Sequence, residues 1–436
     1  MARNTAKKYR NQVIYSVFVR NYSEKGTFEA VRCDLGRIKS LGVDVIWLMP
    51  IHPIGAEKRK GTVGSPYAIS DYRAVNPDYG TLEDFQRLLD DIHRLDMKCI
   101  IDVVYNHTSP DSWLVKHHPE WFYHKPDGSF GNHVGEWSDI VDLDYSHPEL
   151  WDYQIETLKY WASMVDGFRC DVASLVPLDF WLRARAEVET VRPGCIWLAE
   201  SIDPSFVYLA RSQGITALSD SEIFQAYDIS YEYDSYPYYK EYLEGKIPLS
   251  RYAEILNQQE TIYPDNYVKL RYLENHDQLR AAFAIPSETA LLNWTAFLYF
   301  QKGATLLYAG QERSCAHLPN LFEADPVDWT SGADRKEQLR RLYALKQHPL
   351  LTDSSYHVQA LEGEILRAVH RAGERQLTGI FSLRGNCGSV VVDAPDGIYS
   401  NLAEGGSVEV KFSQVNCQGK PIIFESPRMG ESNFIL

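Results

Sequence analysis

The sequence predicts a (β/α)8 barrel with a short insertion after its third strand and an antiparallel β-sandwich at its C-terminal end. Three observations point to this. Up to about residue 345, short apolar runs alternate with amphipathic helical stretches. The runs are nearly continuous in Val, Ile, Leu, Tyr and Trp and end in polar residues, as parallel strands buried on both faces do. There are eight of them, which favours a closed barrel over an open sheet.

The predicted strands are 13–19, 43–49, 98–104, 165–171, 195–200, 226–229, 269–274 and 305–309. Between the first two, Thr27 opens a helix with Phe28, Val31, Leu35, Ile38 and Leu41 on one face, and Gly42 is placed to stop it. Before the third, Thr81 to Asp84 resembles a capping box, followed by Leu82, Phe85, Leu88, Leu89, Ile92 and Leu95 on one side. Two segments break the rhythm. Residues 109–145 are rich in His, Pro, Gly and Trp without a period, and an insertion of this length is usually functional or disordered. Its aromatics Trp113, Trp121, Phe122, Tyr123 and Trp137 argue for order. After residue 350 the helical pattern stops. The runs 364–371, 376–383, 389–393, 407–412 and 421–425, separated by Gly, Asn, Asp and Pro turns, read as a small β-domain. The barrel is therefore assigned to 1–108 and 146–350, the insertion to 109–145, and the β-domain to 351–436.

Composition narrows the partners. The chain has 436 residues, with 44 Lys and Arg against 59 Asp and Glu, a net charge of −15. Nucleic acid and anionic membrane surfaces both reward clustered basic residues, so neither is expected as a partner. Aromatic residues make up 13% of the chain, which suits stacking against sugar rings as well as core packing. The 7 cysteines are scattered with no CxxC, so neither a disulfide framework nor a zinc site is read. Residues 1–12 carry charge but no apolar core, and the reading is a cytoplasmic protein without a membrane span.

The chemistry should lie where barrel strands end. Strand 3 ends in Asp102-Val-Val-Tyr-Asn106-His107, strand 4 in Gly167-Phe-Arg169-Cys-Asp171, strand 5 in Trp197-Leu-Ala-Glu200 and strand 7 in Glu274-Asn-His276-Asp277. Arg169 and Asp171 are two apart on a strand, so both point into the barrel, while Phe168 and Cys170 face the helices. A guanidinium beside Asp171 should keep it ionised at neutral pH. Neighbouring strands lie about 4.8 Å apart. Asp171 and Glu200 can then sit roughly 5 Å apart, the separation used by retaining glycosidases. Asp277 offers a third negative group for a developing oxocarbenium ion. Asp102 reads as a brace for its neighbours, and His107 and His276 as neutral donors to sugar hydroxyls. His117, His118, His124 and His133 read as solvated loop residues.

Taken as an ordered set, Asp102–His107, Gly167–Asp171, Glu200 and Asn275–Asp277 resemble the four motifs of the α-amylase family, glycoside hydrolase family 13. Ile140 to Asp144 (IVDLD) and Tyr308 to Glu312 (YAGQE) are similar to two supporting motifs. The resemblance implies retaining chemistry on α-glucosidic bonds in maltooligosaccharides or soluble α-glucans. It implies Asp171 as nucleophile, Glu200 as general acid/base and Asp277 as transition-state stabiliser. Arg169, His107 and His276 would hold the reacting sugar and the nucleophile, and Tyr67 would stack under that sugar. Asn106 and Asp142 match side-chain ligands of a calcium ion. Many family members carry Lys-His three and four residues after the nucleophile, where this chain has Ser174 and Leu175.

Three other readings compete. A glucanotransferase would use the same chemistry with a sugar acceptor. A metal-dependent barrel hydrolase would want a His pair closing strand 1, and 17–22 offers none. A catalytically dead relative would lack the carboxylates, and Asp171, Glu200 and Asp277 are all present.

Overall fold

The computed structural model describes residues 4–135 and 137–429. Eight strands close a barrel: β1 Val13–Val17, β2 Val45–Leu48, β3 Lys98–Val103, β4 Gly167–Cys170, β5 Ile196–Ala199, β6 Ile229–Tyr231, β7 Lys269–Arg271 and β8 Ala304–Tyr308. Each pairs in parallel with its neighbours in chain order, and β8 pairs with β1 to close the ring. Nearly every strand residue is buried, as expected of a sheet packed inside and outside.

The helical signals act as read. Thr27 accepts from the Ala30 amide and opens helix Phe28–Ser40, whose buried face is Phe28, Val31, Leu35 and Ile38. Gly42, at φ +87°, stands just past its end. Thr81 and Asp84 form a reciprocal capping box on helix Leu82–Arg94. The sixth strand differs from expectation. It runs Ile229–Tyr231, not 226–229, because the amides of Ala226 and Tyr227 both donate to the Ile223 carbonyl in a helical turn. The ladder can begin only after that turn.

The insertion is ordered by one short antiparallel pair, His107–Thr108 against Val141–Asp142, and by ring contacts such as Phe122 on Phe130 and His118 on Trp121. His124 and His133 are exposed loop residues as expected, whereas His117 ends the short helix Trp113–His117 and His118 is half-buried against the Trp121 ring.

Beyond the barrel, β9 Ser355–Leu361, β10 Ile365–Ala372, β11 Arg375–Ser382, β12 Cys387–Val391, β13 Gly397–Ser400, β14 Ser407–Val410, β15 Gln414–Gln418 and β16 Ile422–Pro427 build the antiparallel domain. A sheet in the order β9-β10-β11-β16 faces two antiparallel pairs, β12 with β15 and β13 with β14. Ile365, Ile380, Val390, Val408, Val415 and Phe424 fill the core between them. Strands β9, β13 and β15 are absent from the sequence reading. Strands β9 and β15 alternate exposed and buried residues, β13 alternates exposed and half-buried ones, and the three carry Ser, His, Gln and Asn, so no apolar run marks them. Asn293, on helix Glu288–Phe300, ties this domain to the barrel: its side-chain oxygen accepts from the Ser382 amide and its amide donates to the Gly419 carbonyl, both at 2.8 Å.

One glycine controls how closely the two key strands approach. A Cβ on Gly167, at the start of β4, would lie 2.3 Å from the Ile196 carbonyl oxygen of β5. Backbone cannot yield there without parting β4 from β5. Gly167→Ala should cost about 2 kcal/mol in chemical denaturation and lower turnover along with it. A variant as stable and active as the parent would show that the approach is not needed.

Candidate active site

Arg169 organises the rim. It is fully buried inside the barrel, and its Nη1 donates to Asp102 Oδ1 at 2.9 Å and Asp171 Oδ1 at 2.8 Å. Its Nη2 lies 3.0 Å from Glu200 Oε1, near enough for an ion pair though out of line for a hydrogen bond. Adjacent strands bring these groups together: Asp102 pairs with Arg169 across β3 and β4, and the Glu200 amide donates to the Cys170 carbonyl at 2.9 Å. Three aromatic rings surround the guanidinium, Trp47 at 5.1 Å, Tyr231 at 5.4 Å and Tyr67 at 5.7 Å. Such a cage lets a cation remain in a dry interior.

Burial dominates the carboxyl groups. It pushes Asp102, Asp171 and Glu200 above the ordinary carboxylate range, and the Arg169 charge opposes it in each case. Repulsion from Asp171 and Asp277 adds to the rise at Glu200. Asp171 is therefore not held as firmly ionised as Arg169 alone would hold it. Desolvation outweighs the guanidinium, and Asp102 and Asp277 repel its charge as well. Glu200 is the natural holder of a proton at neutral pH. Its Oε2 also accepts from the Val172 amide at 2.8 Å, which fixes the side chain toward Asp171.

The remaining sequence-selected groups close around these. Tyr67 donates its hydroxyl to Asp102 Oδ2 at 3.2 Å, stands 2.6 Å from His276 Nε2, and stacks on the His276 ring. His276 Nε2 also lies 3.2 Å from Asp277 Oδ2. Burial lowers the pKa of His276 to about 4, and lowers that of His107, so both rings are neutral hydrogen-bonding groups. Asp277 is the open member: its side chain is 39% exposed while those of Asp171 and Glu200 are buried. Asp102 is the brace the sequence suggested.

Asn106 and Asp142 flank the same short ladder, with His107 paired to Asp142 and the Leu143 amide on the Asn106 carbonyl, but their surroundings do not fit a calcium ion. Asp142 accepts from the Asn132 side-chain amide at 3.2 Å and from the His133 backbone amide at 2.6 Å, one on each oxygen. The Asn106 amide nitrogen stands 3.2 Å from His107 Nδ1. The nearby Asp139 faces the Lys60 ammonium at 2.7 Å. Calcium wants several free oxygen ligands, and here both Asp142 oxygens already accept from N–H donors and the Asp139 carboxylate already faces an ammonium.

Three contributors escaped the sequence reading. Trp47 and Tyr231 sit on inward-facing strand positions and read as ordinary core in the sequence; Tyr231 also lies outside the predicted strand 226–229. Arg280 clamps the Asp277 loop. It donates to Glu274 Oε1 at 2.6 Å, to the Ala309 carbonyl at 2.9 Å and to the His317 carbonyl at 3.2 Å, with the Tyr308 ring 4.4 Å away. A lone arginine in a loop carries no periodic signal.

A carboxyl whose folded pKa is raised holds its proton more tightly folded than unfolded. Stability then falls as pH rises from the unfolded value through the folded one. Glu200→Gln should therefore raise the melting temperature, and the gain should be larger at pH 9 than at pH 5. A melting comparison showing a loss, or a gain confined to low pH, would contradict the assignment of the raised carboxyl.

Comparison with known proteins agrees with this fold. Residues 12–348 match the model for the alpha amylase catalytic domain, and residues 357–424 that for the bacterial alpha amylase C-terminal domain. An α-amylase structure from Lactobacillus plantarum is 48% identical, superposes with a TM-score of 0.94, and covers 96% of this chain and 99% of its own. A noncanonic maltogenic α-amylase from Thermotoga neapolitana is 35% identical, with a TM-score of 0.85 over 97% of this chain and 100% of its own. An alpha-1,4-glucan:maltose-1-phosphate maltosyltransferase from Rhodospirillum rubrum is 31% identical over 57% of this chain, and the match spans 36% of that longer relative. With the family model spanning the whole barrel, the chain belongs to the α-amylase family of glycoside hydrolases.

Proposed function

We propose that this enzyme is a cytoplasmic retaining hydrolase of α-1,4-glucosidic bonds in maltooligosaccharides and soluble α-glucans. The observation that carries the reading is one buried guanidinium, Arg169, in contact with both Asp171 and Glu200 at neighbouring strand ends. That arrangement supplies an ionisable nucleophile beside a carboxyl with a raised affinity for its proton.

The chemistry follows in two steps. Asp171 attacks the anomeric carbon as Glu200 delivers its proton to the departing glycosidic oxygen, and a glycosyl ester forms on Asp171. Glu200, now a carboxylate, takes a proton from water. That water attacks the same carbon and returns Asp171 as a carboxylate. Asp277 lies close enough to both carboxyls to raise their pKa values, and its negative charge stabilises the oxocarbenium character of both transition states. Tyr67 supplies a ring for the sugar at the reacting position, and His107 and His276 supply neutral hydrogen bonds. In the transferase alternative, a sugar hydroxyl takes the place of water. The maltosyltransferase name carried by several relatives favours keeping that alternative open to test. Among the described residues no helix is long and apolar enough to cross a membrane.

Asp171→Asn should lower kcat on the order of 10⁶-fold, while maltooligosaccharide still binds. Turnover within tenfold of the parent would remove Asp171 from the mechanism.

The pH profile of kcat/KM should be bell-shaped. Activity falls in acid as Asp171 takes up a proton and in alkali as Glu200 loses one. Since burial raises both, the optimum should lie near neutrality rather than in the ordinary carboxylate range. With an activated aryl α-maltoside, Glu200→Gln should keep the first step, lose the alkaline limb and retain the acid limb. Persistence of the alkaline limb would assign it to another group.

The short insertion offers few distant subsites, so long chains should add little binding energy. Maltohexaose and raw starch, assayed side by side, should give the higher kcat/KM for maltohexaose, with α-anomers formed first. Preference for raw starch would overturn the substrate reading. Products longer than the substrate would favour transfer.

A further inference from the structure

The loop 55–64, which follows β2, ties three parts of the barrel rim together. At its start the amides of Ala56 and Glu57 donate to Asp111 Oδ2 at 2.9 and 3.2 Å. At its far end Thr62 donates its amide to Glu323 Oε1 at 3.0 Å, Thr62 Oγ1 also donates to Glu323, and the Val63 amide donates to the Phe322 carbonyl at 3.2 Å. Between these anchors Lys60 Nζ reaches Asp139 Oδ1 at 2.7 Å and lies 5.8 Å from the centre of the Phe322 ring. Asp139 belongs to the insertion and is buried, whereas Lys60 is half-buried at the edge.

A buried carboxylate needs a countercharge or a set of N–H donors. In this region both needs are met without a metal. Asp139 has the Lys60 ammonium, and Asp142 has the Asn132 and His133 donors. The same segment sets the place of His107. His107 pairs directly with Asp142 in the short antiparallel ladder, and the Leu143 amide donates to the Asn106 carbonyl at 2.9 Å. Anything that loosens residues 139–143 therefore reaches the wall of the sugar site.

We propose that Lys60 stands in for a metal as the cation fixing the insertion to the barrel rim. The placement of His107 then depends on Lys60 and not on calcium. Lys60 is a positioning residue, acting through Asp139 and the ladder rather than on substrate.

The test compares the parent with Lys60→Met and Lys60→Arg. Each is melted in EDTA and in millimolar CaCl2, and each is assayed on maltohexaose. The parent should melt at the same temperature in both media. Lys60→Met should melt about 2 °C lower and show a KM raised several-fold with kcat less affected, and Lys60→Arg should recover most of both. A parent that loses stability on chelation and regains it with CaCl2 overturns the proposal. So does a Lys60→Met variant that melts and reacts like the parent, or one whose melting falls while KM stays unchanged. The chelation comparison on the parent decides the metal question even if Lys60→Met fails to fold, and it stands whatever substrate the site takes.

Discussion

The contact of one buried guanidinium with three carboxyls is the constraint on which the rest of the site depends. Arg169 reaches Asp102, Asp171 and Glu200 from inside a barrel whose interior excludes water. Removing the guanidinium itself would cost about 3–5 kcal/mol, because the carboxyls left behind remain buried without a countercharge. The ring cage of Trp47, Tyr67 and Tyr231 and the close approach of β4 to β5 at Gly167 both serve to keep that guanidinium in place.

One positive charge cannot neutralise this many carboxyls. Burial raises their affinity for protons, and their mutual repulsion raises it further. The consequence is a division of labour: Asp171 gains a hydrogen bond from Arg169, while Glu200 has an ion pair out of hydrogen-bond alignment and keeps the proton more readily. Two residues of similar chemistry thus acquire different tasks from their surroundings. The arrangement also runs against stability above the ordinary carboxylate pKa, a common feature of sites shaped for reaction rather than for packing.

Much of this was legible in the chain. The barrel could be read because its strands are buried on both faces and form uninterrupted apolar runs. The site could be read because charged residues end those runs, and the two-residue spacing of Arg169 and Asp171 alone puts both on the inner face. What could not be read has physical causes. Strands β9, β13 and β15 expose alternate residues and so carry polar side chains. The sixth barrel strand starts late because a helical turn takes up the amides of Ala226 and Tyr227. Trp47 and Tyr231 look like core because they are core, and only their distance to Arg169 gives them a further part. The competition between burial and Arg169 at Asp171 depends on how dry the barrel is, which no spacing reveals. Asn106 and Asp142 matched a calcium pattern residue by residue, yet the donors that occupy Asp142 come from an aperiodic turn of the insertion, Asn132 and His133, and the lysine on Asp139 comes from a loop far away in sequence.

In the proposed mechanism Asp171 is the group that becomes covalently bonded to the sugar. The direct measurement is peptide mass spectrometry after brief reaction of the Glu200→Gln variant with a 5-fluoro-α-glucosyl fluoride. That reagent needs no acid to leave and forms a slowly hydrolysed ester. One added fluoroglucosyl group is expected, on the peptide and the residue Asp171. A label on Asp277 or Asp102, or none under conditions where the fluoride is consumed, would contradict it.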